Sequence, residues 1–225
     1  MNGIILMFHE GGPWMYPIFA CLLATLTIAA ERTYALFFVL HEDKNALLKG
    51  VRPHIMNGDL LAAIRFLSSQ KQGPLSRILK AGLLKAKGSD LEVQAALDEA
   101  SLREMQYIEK RVGFLPILSN GSTLFGLVGT VGGMIFCFSA VAGVDPAEKA
   151  TILAKGISEA MNCTWFGLFT ALPALFIYGW LQSRVQELTD SINEVIVTEL
   201  NLVLSGRRLI RNAPDPEADG RVESA

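Results

Sequence analysis

The sequence predicts an all-α membrane protein: three transmembrane helices, N-terminus outside and C-terminus inside, with long helices extending into a cytoplasmic helical layer. Three observations predict it. Of 225 residues, 51% are hydrophobic and only 19% charged. The charges are missing in blocks: Gly11–Ala30, Val112–Val144 and Ala160–Ser183 are uncharged runs of 20, 33 and 24 residues. A helix of about 20 apolar residues spans a bilayer core, so each run is long enough. Finally, Lys and Arg are distributed unevenly. None precedes Arg32, twelve lie between Glu42 and Arg111, two (Lys149 and Lys155) lie between the second and third runs, and five follow Gln182. The excess of positive charge belongs inside, which fixes the predicted orientation.

Taken in order, residues 1–13 are expected to be a periplasmic N-terminus and 14–40 the first transmembrane helix. The first run lacks the basic start of a secretory signal, and Asn2 at position two and the absence of a C-terminal Cys remove lipidation patterns. It is therefore expected to be a retained anchor. Residues 41–111 are expected to form a cytoplasmic helical domain. Leu60, Leu61, Ile64 and Leu67 share one helical face, Gly73–Pro74 breaks the chain, and Leu75, Ile78, Leu79 and Leu83 begin another helix. Ser89 or Asp90 is a plausible N-cap for Leu91 to Arg111, which is rich in helix formers. No strand-like alternation occurs.

Residues 112–144 are expected to be a long helix containing the second span. At about 1.5 Å per residue it exceeds a bilayer core, so its start is expected to continue from the preceding loop, with Pro116 where a kink is tolerable. A periplasmic link (145–159), the third span (160–183), a cytoplasmic amphipathic helix (184–211) and a disordered tail (212–225) complete the chain. In the amphipathic helix, Val185, Leu188, Ile192, Val195 and Leu202 step by three and four, interrupted by Glu199.

Composition excludes several functions. Acidic residues outnumber basic ones 22 to 20, and no basic stripe suits nucleic acid. Cys21, Cys137 and Cys163 have no metal or disulfide spacing. His9, His41 and His54 lie outside the second and third runs. Ser/His/Asp, HExxH and paired catalytic carboxylates are absent at depth, so no enzyme, metal or cofactor is expected.

Two narrow faces of small residues remain. In the second span Ser122, Gly126, Gly129 and Gly133 align, bordered by Thr123 and Thr130. In the third, Ala160, Thr164, Gly167, Ala171 and Ala174 align. Close helix packing explains such faces, and a threonine there can simply bond back to its own helix. The same faces can also line a tight shared cavity in which hydroxyls hold a water or a carboxylic acid. Neither run contains an Asp, Glu, Lys, Arg or His, and an intramembrane proton carrier requires a titratable group. Only Glu159, at the outer mouth, comes near. A carrier, if protons cross, is expected from another polypeptide.

The stretches Leu124-Phe-Gly-Leu-Val-Gly-Thr-Val-Gly-Gly-Met134, Gly156-Ile-Ser-Glu-Ala-Met161 and Thr164-Trp-Phe-Gly-Leu-Phe-Thr-Ala-Leu-Pro-Ala174, with Glu31–Arg32 closing the first span, resemble the MotA/TolQ/ExbB proton-channel family. The three-span arrangement is similar to its ExbB/TolQ branch. That resemblance implies an inner-membrane, multi-pass protein forming a homopentamer around a dimer of a single-span ExbD/TolR/MotB-type partner, whose transmembrane Asp carries the proton. It implies that Thr130 and Thr164 are pore threonines and that Glu159 is the family's acidic residue at the third span's start. It also implies that Gly126, Gly129, Gly133, Gly167 and Pro173 form the packing and pore motif. The coupling ion is expected to be H+ ahead of Na+, lipid and partner chains are the expected contacts, and proton motive force is expected to drive work on envelope machinery. The pattern departs from the family at Thr123, where proline is common, and at Gly132, where a bulky residue is common. The alternative is a non-conducting scaffold recruiting partners through cytoplasmic helices.

Overall fold

The computed structural model describes residues 12–40 and 42–210. The expected N-terminal stretch up to Gly11, His9, His41 and the tail 212–225 lie outside the described residues. Among the described residues there is no strand, and three helical stretches are long and apolar enough to cross a membrane. The chain is an all-α membrane protein. Its helices are α1 (Met15–Tyr34), α2 (Lys44–Met56), α3 (Leu60–Ser69), α4 (Pro74–Leu84), α5 (Asp90–Glu109), α6 (Phe114–Ala140) and α7 (Pro146–Ile210). Contacts divide them into two compact units. The first holds residues 12–33 and 111–182, the second the remainder of the described chain.

In the first unit, α1, α6 and the early part of α7 turn large apolar side chains outward. Ile135, Phe136, Phe138, Phe169, Leu172 and Phe176 are all exposed, as a lipid-facing surface requires because the bilayer, rather than a second protein layer, solvates them. Small residues face inward. Met15 and Ile18 of α1 pack on Cys163 and Phe166 of α7.

One expectation fails at the start of α6. The helix does not continue from α5: Lys110–Gly113 form a turn in which Arg111 adopts a left-handed φ of 65°. A side chain there is strained, and an ion pair holds it, because the Arg111 guanidinium lies 2.5 Å from Glu31 Oε2. Glu31 also accepts from Arg32 Nη2 at 2.8 Å. Gly113 is the N-cap and Pro116 falls in the first helical turn, where its missing N–H costs nothing. Pro116 therefore marks a helix start rather than a kink.

In the second unit α2, α3 and α5 each begin on a residue whose side chain satisfies free backbone N–H groups. Asp43 accepts from Asn45 N and Ala46 N, and Asp59 from Ala62 N. Ser89 is the N-cap of α5 and forms a reciprocal capping box with Glu92. The cap of α4 comes from a distant residue. The Glu42 carboxylate accepts from Gly73 N (3.0 Å), Leu75 N (2.8 Å) and Ser76 Oγ (2.9 Å), placing negative charge at the helix's positive end. Leu75, Ile78, Leu79 and Leu83 of α4 are buried, as are Val93 and Leu97 of α5 and Val185, Leu188, Ile192 and Val195 of α7. Glu199 does not interrupt that last stripe but belongs to it. It is fully buried, with its Oε1 2.9 Å from where a side chain on Gly82 would begin.

A candidate proton path between the second and third spans

The small-residue faces of α6 and α7 meet. They run antiparallel, and each step of three or four residues along one helix is matched by the same step back along the other. Ser119 Oγ donates to Ala171 O at 2.9 Å. A Cβ on Gly167 would stand 2.7 Å from Ser122 O, and one on Gly126 would stand 3.0 Å from Cys163 O. A Cβ on Gly133 would stand 3.2 Å from that of Ala160. Backbone against backbone leaves no room for larger residues at Gly126 and Gly167, which is what glycine permits in a membrane helix pair.

At the centre of this contact lie Thr130 and Thr164. Their hydroxyls are in direct hydrogen-bond contact with each other. Thr130 Oγ1 is also 3.0 Å from Gly126 O and 3.2 Å from Ala160 O, and Thr164 Oγ1 is 3.2 Å from Gly126 O. Bonding back to the same helix and bonding across to the other thus occur together. Two hydroxyl protons are shared among two carbonyls and two hydroxyl oxygens. The pair can therefore exchange donor and acceptor roles by rotation alone, with oxygen lone pairs left to accept a further hydrogen bond. Both threonines are half-buried, whereas Ser122, Gly126, Gly129 and Gly167 are buried.

The other sequence-derived candidates lie elsewhere. Glu159, one residue before Ala160, directs its carboxylate toward the backbone of Gly12, where a Cβ would stand 2.8 Å from Oε1. No hydrogen bond among the described residues joins it to either threonine. Gly129 packs on Cys163 and Trp14. Pro173 is exposed on α7, one helical turn past the backbone carbonyl of Phe169, which it deprives of a helical N–H partner. Ser119 is the residue the sequence reading missed. It extends the Ser122 face by one turn, and that periodicity was its only signal. Among the described residues, no group of three or more His, Cys, Asp or Glu side chains is arranged to hold a metal.

Comparison with known proteins fits this arrangement. The family model described as the MotA/TolQ/ExbB proton channel family matches residues 70–194, more than half of the chain. The Tol-Pal system protein TolQ of Haemophilus influenzae is 28% identical over 86% of this chain and 83% of its own length. The biopolymer transport protein exbB1 of Vibrio cholerae is 28% identical over 95% and 93%. ExbB of Salmonella typhimurium is 27% identical over 86% and 84%. Paired small-residue faces, charge-free spans and a family match across the second and third of those spans lead to one conclusion: the chain belongs to the MotA/TolQ/ExbB proton channel family, in its ExbB/TolQ-like branch.

Proposed function

We propose that this chain is the channel subunit of a proton-driven stator in the bacterial inner membrane. In this reading five copies surround a dimer of a single-span ExbD/TolR-like partner and convert proton motive force into mechanical work on envelope machinery. The observation that carries the reading is the hydroxyl pair of Thr130 and Thr164, set between two spans that contain no Asp, Glu, Lys, Arg or His. Such a wall can solvate a proton carrier but cannot itself carry the charge. The carrier is then an Asp supplied by the partner. When protonated, that acid can slide past the apolar wall; at Thr130 and Thr164 it exchanges hydrogen bonds with hydroxyls that accept and donate in turn. One charge crossing about 100 mV makes roughly 2.3 kcal/mol available, enough to bias a step between two packed helix arrangements.

The relatives support this reading through their names, which place them in the Tol-Pal system and in biopolymer transport. The span boundaries 14–40, 112–144 and 160–183, the N-out orientation, the role of Glu159 at the outer mouth, the packing roles of Gly126, Gly129, Gly133, Gly167 and Pro173, and H+ as coupling ion belong to the same proposal. So does the absence of enzymatic turnover. The test is proton flux into vesicles containing the chain with and without its co-purifying single-span partner. Flux that requires the partner's Asp supports the stator. The absence of flux with the partner present supports a non-conducting scaffold instead.

A further inference from the structure

We propose that the first unit carries a binding site for a zwitterionic aminophospholipid, with Lys155 holding the phosphate, Glu159 the ammonium, and the adjoining cavity an acyl chain. The cavity has a volume of about 560 Å³, within the range of about 300–1,000 Å³ typical of ligand sites. Trp14, Gly132, Phe136, Cys137, Ala140 and Ile152 form most of its apolar wall, and among the described residues Lys155 and Glu159 are the only charged ones lining it. It sits beside the turn that joins α6 to α7.

Three features indicate this occupant. The first is the state of the two charges. Lys155 and Glu159 stand four residues apart on α7, close enough to pair, yet neither has an ion pair or hydrogen bond among the described residues. Lys preceding Glu is the weaker order for such a helical pair, so both groups are available to a ligand. The second is depth. Glu159 immediately precedes the uncharged run Ala160–Ser183 and Lys155 lies one helical turn before it, where a span meets the headgroup layer and a lysine stem can lie along apolar surface with its ammonium in the polar zone. The third is the wall. Gly132 has no side chain, and among the described residues a Cβ there would meet only Trp14, 3.3 Å from its Nε1. Phe136, 76% exposed, edges the opening toward lipid.

The charge pattern selects the headgroup. One cation and one anion at a single rim match a molecule carrying both signs. An anionic headgroup without an ammonium sets its charge against Glu159. A choline headgroup has the positive charge but no N–H to donate to the carboxylate.

Trp14 lies in the wall and serves as the reporter. The full chain with Trp165→Phe and Trp180→Phe leaves it as the sole tryptophan. In detergent it is titrated with phosphatidylethanolamine brominated on the acyl chains, and in parallel with the brominated phosphatidylcholine and phosphatidylglycerol. The expected result is saturable quenching with the ethanolamine lipid at the lowest half-point. Lys155→Gln and Glu159→Gln should each raise that half-point about fivefold, the loss of one solvent-edge charge contact, and abolish the headgroup preference. Ala140→Phe, which fills the cavity without touching either charge, should weaken quenching by every lipid. Non-saturating quenching that is equal for all three lipids overturns the proposal, as does preference that survives both charge substitutions. Loss of quenching when copies assemble would show a neighbouring chain covering the cavity, and also overturns it.

Discussion

Glu199 is a carboxyl group with no exposure to solvent and, among the described residues, no hydrogen-bond partner at either oxygen. It lies in the second unit, outside the uncharged runs, against Gly82 and the Leu97 side chain that also crowds that glycine. Burial pushes its pKa well above the ordinary carboxylate value. The consequence for stability has a definite sign. As pH rises above the unfolded-state pKa, the unfolded chain releases this proton while the folded chain keeps it. Stability therefore falls with rising pH, close to tenfold in the opening equilibrium per pH unit, and levels only above the folded-state pKa. Below the unfolded value the group contributes no pH dependence. Separately, leaving a buried polar group unpartnered costs about 1–3 kcal/mol. Glu199→Leu removes both penalties and Glu199→Gln only the first. The assay is amide hydrogen exchange of the full chain in detergent, corrected for intrinsic rates and read over α4 and α5 between pH 5 and pH 7. Glu104 is a second buried carboxyl raised by desolvation and opposed by Arg77, so the readout is the difference from wild type. Protection in Glu199→Gln relative to wild type should grow with pH, and Glu199→Leu should add a pH-independent gain. A difference that stays flat, or a wild type that gains protection with pH, would refute the reasoning.

Other substitutions test the packing. Gly167→Ala forces a methyl toward Ser122 O at 2.7 Å and should cost about 1–3 kcal/mol by overpacking, seen as a lowered unfolding midpoint in detergent. Gly179→Ala, with nothing within 4 Å of the added carbon, should raise the midpoint or leave it unchanged, since alanine favours helix by up to about 1 kcal/mol. Glu42→Ala strips α4 of its distant cap and should cost about 1–2 kcal/mol, with exchange accelerating first at Gly73, Leu75 and Ser76. Glu31→Gln weakens the contact that holds Arg111 at positive φ, so faster exchange should appear at Val112 and Gly113, and Arg111→Gly should reverse it by relieving the strain.

Much of this fold was legible because bilayer burial leaves a coarse signature. Blocks of missing charge mark spans whatever the packing, and Gly73–Pro74 and Ser89 mark helix starts by local backbone chemistry. The aligned faces of Ser122–Gly133 and Ala160–Ala174 were equally readable, since periodicity alone places them on one side of each helix. That they would pair in the register that brings Thr130 onto Thr164 was not readable, because nothing in one helix encodes its register against another. The Glu42 cap acts across 31 residues, beyond any local pattern. Glu199 was misread for a related reason. A charge in an apolar stripe looks like an interruption until the facing helices are seen to enclose it. The break before α6 did leave a trace in Gly113 and Pro116, but the strong helix formers of α5 masked it.

The central claim is that the Thr130 and Thr164 hydroxyls line the proton path. Its most direct test is proton flux through the complex of this chain with its single-span partner, reconstituted in vesicles under an imposed gradient. Thr130→Val and Thr164→Val keep the shape and remove the hydroxyl, whereas the serine variants keep the hydroxyl. The account predicts that each valine variant loses at least about tenfold in flux, as for one charge-assisted hydrogen bond, while Thr130→Ser and Thr164→Ser conduct near the wild-type rate. Wild-type flux in both valine variants would contradict it.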